Sequence, residues 1–278
     1  MATNMVPVDI LPLPVQQVAA TQRLGAFVKA YKASLLRTIV GALVFLAGAA
    51  LFCAGGIFPP NLTVTTRGVL LVCGLFSLGL AVSLASSVLQ AANQQVYLFE
   101  QGLVIDKRKQ VQAFPWNQVA AVWQSITRNY RNGRYVGTTY TYSLRRVDGY
   151  QVKLNNLTKD IAELGPAIAQ GITRELVPRA LHAIRVGQTL AFASFSVNRQ
   201  GIGRGREFLP WSQVQGVDVQ QGRVTVKKAG ESRGSWTDKV AKIPNFLVFT
   251  VVAEEMLQQA SAGRKPDQRG RDSGGGNF

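Results

Sequence analysis

The chain is poor in the side chains that do chemistry. Its 278 residues include one histidine, His182, and two cysteines, Cys53 and Cys73. A zinc centre needs several Cys or His at ligand spacing, and both cysteines lie inside apolar runs, so neither a metal site nor a disulfide scaffold is expected. His182 sits between Arg179 and Arg185 with no second histidine to share a metal, and reads as a surface residue. No Walker sequence occurs, and Gly201, Gly203 and Gly205 lead into a strand pattern, whereas a phosphate cradle needs a helix N-terminus next. Glu254 and Glu255 are helix neighbours rather than a converging acid pair. The expectation is a non-enzyme with no catalytic residue, no metal and no cofactor.

Charge is also missing over one long stretch. Between Thr38 and Glu100 the only charged residue is Arg67. Residues 39–58 and 68–89 are uncharged, and as helices they would be roughly 30 and 33 Å long, enough to cross a bilayer core. We read transmembrane helices at 38–58 and 68–92, joined by a short external loop at 59–67 that contains Pro59 and Pro60. A cleaved signal peptide does not fit, because the first run starts near residue 38 and no polar stretch separates it from the second. Lys and Arg resist translocation. Arg23, Lys29, Lys32 and Arg37 precede the first run and Lys107, Arg108 and Lys109 follow the second, so a multi-pass plasma-membrane protein with both termini cytoplasmic is expected. In such a hairpin Cys53 and Cys73 share a depth, which allows contact, although cysteine also packs as a small apolar residue. The ridge Gly79, Ser83, Ser87 is a candidate to meet Ala50 and Ala54 on the partner helix.

Acidic residues are scarce: 15 Asp and Glu stand against 31 Lys and Arg, a formal charge of +16. From Val96 onward the balance is 26 basic to 14 acidic residues, or +12. Apposition to anionic lipid accounts for this charge at about 1 kcal/mol per basic residue reaching the surface, and no nucleic-acid partner is needed. Lys29, Lys32, Arg37, Lys107, Arg108 and Lys109 are the candidate lipid-facing residues, contacting anionic headgroups nonspecifically.

What the chain does have is a repeat. PWNQV at residues 115–119 returns as PWSQV at 210–214, each after an apolar strand pattern ending in Gln-Gly, at Gly102 and at Gly201. Around the repeat, residues 1–15 read as a disordered arm and 16–37 as a basic amphipathic juxtamembrane helix, with Leu24, Phe27, Val28, Tyr31 and Leu35 at helical spacing. A plain cytoplasmic extension of the first span is the alternative. Strand patterns then fill the region from Val96 to Leu154, with Asp148-Gly149 as a hairpin turn, before a helix pattern from Ile161 to Leu176. Pro178 is read as a break before a linker helix at 177–188. The second copy compresses the same order into 189–260, where the first spans 96–176, and 261–278 is a polar, glycine-rich tail expected to be disordered. Trp116 and Trp211 are expected to anchor their cores, with the Gln118 and Gln213 side chains bonded to turn backbone.

Strands that build a small sheet or barrel, closed by one C-terminal amphipathic helix, resemble the pleckstrin-homology-like (PH-like) architecture. The Gly102 and Pro115-Trp116-x-x-Val119 pattern, repeated as Gly201 and Pro210-Trp211-x-x-Val214, resembles PH-like modules beside transmembrane hairpins in uncharacterised bacterial membrane proteins. The resemblance implies an α+β fold, a two-helix transmembrane hairpin plus tandem PH-like small β-barrels. Inositide-binding relatives cluster Lys and Arg in the loop joining the first two strands. Here the loop read as equivalent carries Glu100 in copy one and a single Arg199 in copy two, so headgroup recognition is not implied. The copies differ most at NYRNGRYVGTT, where a longer hairpin is expected, and Tyr130, Arg131, Arg134, Tyr135 and Tyr140 are the candidate partner-binding residues. The resulting expectation is a membrane-tethered binding or scaffold protein for an unknown protein partner, with anionic-lipid sensing as the alternative and an unrecognised enzyme as the third reading. The sequence leaves homo-oligomerisation open.

Overall fold

The computed structural model describes residues 11–58, 61–91, 94–107, 110–230 and 235–262, without the side chains of Leu36, Arg37, Gln90 and Ala91. Most of the expected arm and tail, the Pro59-Pro60 turn, and Arg108 and Lys109 lie outside these residues.

Helix α1 (Leu13–Thr21) is the first element; its first three residues fall in the expected arm and the rest within the helix expected over 16–37. It ends at Arg23, whose φ of 51° reverses the chain, with Leu24 N–H bonded to Ala19 O and Arg23 N–H to Ala20 O. This doubly bonded stop buries Leu24 completely. Strand β1 (Phe27–Tyr31) follows, so the amphipathic helix expected over 16–37 is corrected to a short helix, a turn and a strand. The cause is a long-range partner: β1 pairs antiparallel with β2 (Gln94–Phe99), Tyr31 opposite Val96 and Phe27 opposite Phe99.

Between β1 and β2 stand the two apolar helices, α2 (Leu36–Ile57) and α3 (Val64–Ala91). Their apolar segments Thr38–Ile57 and Val64–Leu89 have mean hydropathies of 2.2 and 2.3, and both are long enough to cross a membrane. The second begins at Val64, so the connecting segment is shorter than the expected 59–67. The helices meet through small residues, but not on the expected ridge. Gly79 has open space around it and Ala50 is exposed. Instead Gly48 lies against Ser77, and Gly74 against Cys53 and Ala49. Ser77 Oγ donates a 2.8 Å bond to the Phe45 carbonyl on the other helix. Small residues at fourfold spacing occur on two faces of α3, and the face with Ser77 and Ala81 is the buried one. Cys53 and Cys73 are free thiols, Cys73 exposed.

After β2 come β3 (Gly102–Lys107) and β4 (Gln110–Pro115), giving a four-stranded sheet in the order β1-β2-β3-β4. Helix α1 lies on one face, where Leu11, Val15, Ala19 and Leu24 pack with Tyr97, Phe99, Val104 and Ala113. A second sheet has the order β5 (Val119–Arg131), β6 (Arg134–Arg146), β7 (Gln151–Asn155), and α4 (Ile161–Arg185) follows. The helix runs unbroken through Pro178, correcting the separate linker helix. Interior proline costs about 3 kcal/mol, but burial of Ala180 and Ile184 beyond it offsets this at about 1.5–3 kcal/mol for one large aliphatic side chain.

The second copy repeats the order. Strands β8 (Leu190–Phe192), β9 (Phe195–Val197), β10 (Gly201–Arg204) and β11 (Glu207–Pro210) form a four-stranded sheet. Strands β12 (Val214–Gln220), β13 (Arg223–Lys228) and β14 (Trp236–Lys239) form a three-stranded one, and α5 (Phe246–Ala262) closes the copy. Four sequential strands, three sequential strands and a helix thus occur twice, and the counterpart of the β8–β9 turn in copy one is the whole apolar helix pair. The architecture is α+β, with two apolar helices and several antiparallel sheets. No strand pairing closes a sheet into a barrel among the described residues.

The Pro-Trp repeat has one geometry in both copies. Trp116 Nε1 donates to Glu100 O and Trp211 Nε1 to Asn198 O, each at 3.0 Å. Gly102 faces Pro115 and Gly201 faces Pro210, and a Cβ on either would lie 2.7 or 2.2 Å from a main-chain oxygen. A single 3-10 turn begins at each Trp, and the main-chain carbonyls of Gln118 and Gln213 accept bonds from Val147 and Ala229.

Contacts divide the chain into two compact units, Met1–Trp116 with Leu154–Gly165, and Asn117–Lys153 with Pro166–Phe278. The repeat boundary lies elsewhere, because β5 and β6 of copy one belong to the unit that holds copy two. In that unit α5 contributes Phe249, Val252 and Ala253 to a core with Phe195, Trp211 and Val226.

Candidate functional site

The longest hairpin in the described chain is β5–β6, and its sequence contains no acid between Asp106 and Asp148. Its turn is Asn132-Gly133, with φ of 51° and 77°, the double left-handed geometry that suits the right-handed twist of paired strands. At its base Val122, Tyr142 and Leu144 are buried, and the same face continues outward through Ile126 and Tyr130, 48% and 61% exposed. Tyr130 and Tyr135 form an edge-to-face pair with ring centroids 5.9 Å apart. Tyr135 Oη and Thr138 Oγ1 share a 2.8 Å hydrogen bond. Arg131 and Arg134 are exposed, directly opposite one another, and Arg128 is exposed three residues earlier on β5, on the other face. Tyr140 is half-buried opposite Ile126. The structure therefore brings the five sequence-derived partner-binding residues onto one hairpin. The remaining arginines of this hairpin are engaged: Arg145 lies over Trp123, and Arg146 bonds Asp148. That bond and the Tyr150 N–H hold the Asp148 carboxyl down at about 2.

The free side of β5 is one edge of its sheet. Near the base it is capped by Asn245, whose main-chain N–H donates to Val122 O at 2.8 Å. Val122 N–H returns a bond to Asn245 Oδ1 at 2.9 Å, and Asn245 Nδ2 donates to Ala120 O. One residue, held at a φ of 51°, thus imitates a paired strand. A shallow groove lined by Gln124, Ile172, Thr173 and Leu247 continues beside it.

The sequence-derived lipid-facing residues are dispersed differently. Lys29 is ion-paired with Glu163 at 2.6 Å, and Tyr31 Oη also donates to that carboxylate. Burial, then the Glu163 charge, push the Tyr31 phenol up to about 12, while the Lys29 bond lowers Glu163. Lys32 and Lys107 are exposed at the end of the first sheet nearest α2 and α3, since Lys107 pairs with Gln94, three residues after α3. Lys159, which sequence reasoning missed, joins them because its N–H donates to Lys32 O. No sequence signal links positions so far apart. Arg37 lies in α2 with its side chain undescribed. The turn read as the headgroup loop is occupied internally, with the Glu100 carboxylate accepting the Ala26 N–H at 3.3 Å.

Among the described residues no group of three His, Cys, Asp or Glu is placed to hold a metal. His182 is exposed on α4.

These features define an α+β protein that carries two membrane-length helices within its first sheet. The chain belongs to a family of unknown function, DUF6585, whose family model matches residues 2–262. No curated protein matches it.

Proposed function

We propose that this is a non-enzymatic, two-span protein of the plasma membrane, whose tandem PH-like modules serve as a protein-binding or scaffold element at the inner membrane face. The observation that carries the binding role is the β5–β6 hairpin, with its exposed Tyr130–Tyr135 pair, three exposed arginines and open strand edge. Exposed aromatics and arginine are the residues that most often anchor protein interfaces. The PH-like assignment is supported by the twice-repeated order of four strands, three strands and a helix. Two-span insertion is supported by β1 and β2, which flank the helix pair and hydrogen-bond to each other, so that both of its ends return to one sheet. Cytoplasmic termini follow from the basic residues flanking the spans, against the lone Arg67 at the far end.

The test uses the full chain in its native membrane, with a photo-crosslinking residue in place of Tyr135. Adducts with one or a few proteins, lost when Tyr130→Ser and Arg131→Ser are added, are expected. Protein adducts indifferent to those changes would remove the hairpin from the proposal. Labelling of Thr63→Cys from outside the cell checks orientation, and labelling only from the cytoplasm would reverse it.

Anionic-lipid sensing is the second reading, favoured by the convergence of Lys32, Lys107 and Lys159 at the end of the first sheet nearest the helices. Full-length protein in mixed-lipid nanodiscs should then enrich anionic lipid, and Gln at these three positions should abolish the enrichment.

A further inference from the structure

We propose that the free edge of β5, beyond the Asn245 cap, receives an extended acidic peptide segment as an added antiparallel or parallel strand. This deepens the hairpin reading given above and rests on it.

The edge geometry follows from Asn245. Because Asn245 bonds both the N–H and the C=O of Val122, those groups point away from β6. In an antiparallel pair the direction alternates with every residue, so the N–H and C=O of Gln124, Ile126 and Arg128 point the same way, up to the irregularity at Asn129/Tyr130. None of these three has a main-chain partner on that side among the described residues. The edge therefore offers a row of main-chain donors and acceptors at strand spacing, the feature that strand addition uses.

Charge selects the occupant. Arg128, Arg131 and Arg134 belong to no ion pair among the described residues, and the directly opposed Arg131 and Arg134 repel each other. A second copy docking edge to edge would bring three arginines against three more. The chain's own C-terminal segment is disfavoured as well, since residues 263–278 hold Arg264, Lys265, Arg269 and Arg271 against Asp267 and Asp272. An extended segment that sets Asp or Glu at alternate positions on the face of Arg131 and Arg134 satisfies both the edge and the charge, and its apolar residues can meet Ile126 and the Tyr130–Tyr135 pair on the opposite face.

The experiment uses the full chain in nanodiscs of zwitterionic lipid and two fluorescent octapeptides, one alternating Glu and Val, the other Lys and Val. Anisotropy should show at least tenfold tighter binding of the Glu peptide. N-methylation of alternate amides should weaken it tenfold or more in one of the two phases only, because only one set of amides faces β5. Arg131→Glu with Arg134→Glu should reverse the preference between the peptides. Equal binding of both peptides, binding of neither, or indifference to N-methylation in both phases overturns the proposal. So does a result in which the arginine changes affect only binding to phosphatidylserine vesicles, which would make the tip a membrane contact. If Tyr135 crosslinks still depend on the hairpin while the Glu peptide fails, strand addition falls and the broader binding role stands.

Discussion

Lys29 and Glu163 form an ion pair of 2.6 Å although both apolar helices lie between them in the chain. The pair joins β1, before the helices, to the first turn of α4, which closes the first copy. Main-chain bonds from Ser34 to Leu157 and from Lys159 to Lys32 reinforce the junction. The segment leading into α2 is thereby held to the folded body on one side, as β2 holds the segment leaving α3 on the other.

Glu163→Gln should cost only about 0.2–1 kcal/mol, since both partners are substantially exposed. Its sharper signature is in the titration of Tyr31. The folded phenol holds its proton to about pH 12, so this group's contribution to stability is whole below pH 10 and is lost as pH rises through 12. Removing the Glu163 charge should bring the tyrosinate absorbance midpoint down while leaving it above 10, because burial is the larger cause. A midpoint unchanged in the variant would contradict the assignment.

Asp148 gives the opposite dependence. Its carboxyl is held at about 2 by Arg146 and the Tyr150 N–H, so the hairpin turn it braces is fully supported above the ordinary 3.8 and loses that support as pH falls toward 2. Carboxyl chemical shifts read against pH should show this depressed midpoint, and Arg146→Gln should return it upward.

At Gly201 a Cβ would meet the Leu209 carbonyl oxygen at 2.2 Å and the Phe208 ring at 2.8 Å. Gly201→Ala is therefore expected to destabilise the second copy by about 1–3 kcal/mol, as overpacking does when main chain must move. Thermal unfolding should report it, and Gly222→Ala, where a side chain meets only open space, separates this crowding from the strain of a positive φ.

Ser77→Ala removes the bond to the Phe45 carbonyl and should loosen the helix pair by about 0.6 kcal/mol and no more than about 1.7, the range measured for such bonds in a bilayer. Ser77→Leu should do far more, because Gly48 leaves room for little beyond a hydroxyl. Accessibility of Cys53 to a membrane-permeant thiol reagent is a convenient readout, since Cys53 faces Gly74 in the same seam.

The repeat was legible from Pro115-Trp116 and Pro210-Trp211 because its geometry is local: the glycine, the proline and the indole bond lie within 16 residues. The apolar helices were legible from the absence of charge alone. Strand β1 was not, because Phe27, Val28 and Tyr31 satisfy helical spacing and the strand that decides otherwise begins at Gln94. Pro178 misled for a related reason, since burial of Ala180 and Ile184 outweighs a lost main-chain bond that is visible in sequence. The residues of the tyrosine hairpin could be named in advance. The open edge beside them could not, because it is defined by where Asn245 stops covering β5.

The insertion of α2 and α3 between β1 and β2 also sets the order of biosynthesis. Strand β1 leaves the ribosome before either helix, and must wait for residues 32–93 to be made before Val96 can stand opposite Tyr31. A soluble fragment cut just after α3 would keep β2 but lose its neighbour and the α1 cover, exposing the apolar side chains of Tyr97 and Phe99 beside an unpaired backbone. Such a fragment is expected to clump on expression, and the remedy is to graft residues 11–31 ahead of Gln94 through a short flexible tether in place of the helices.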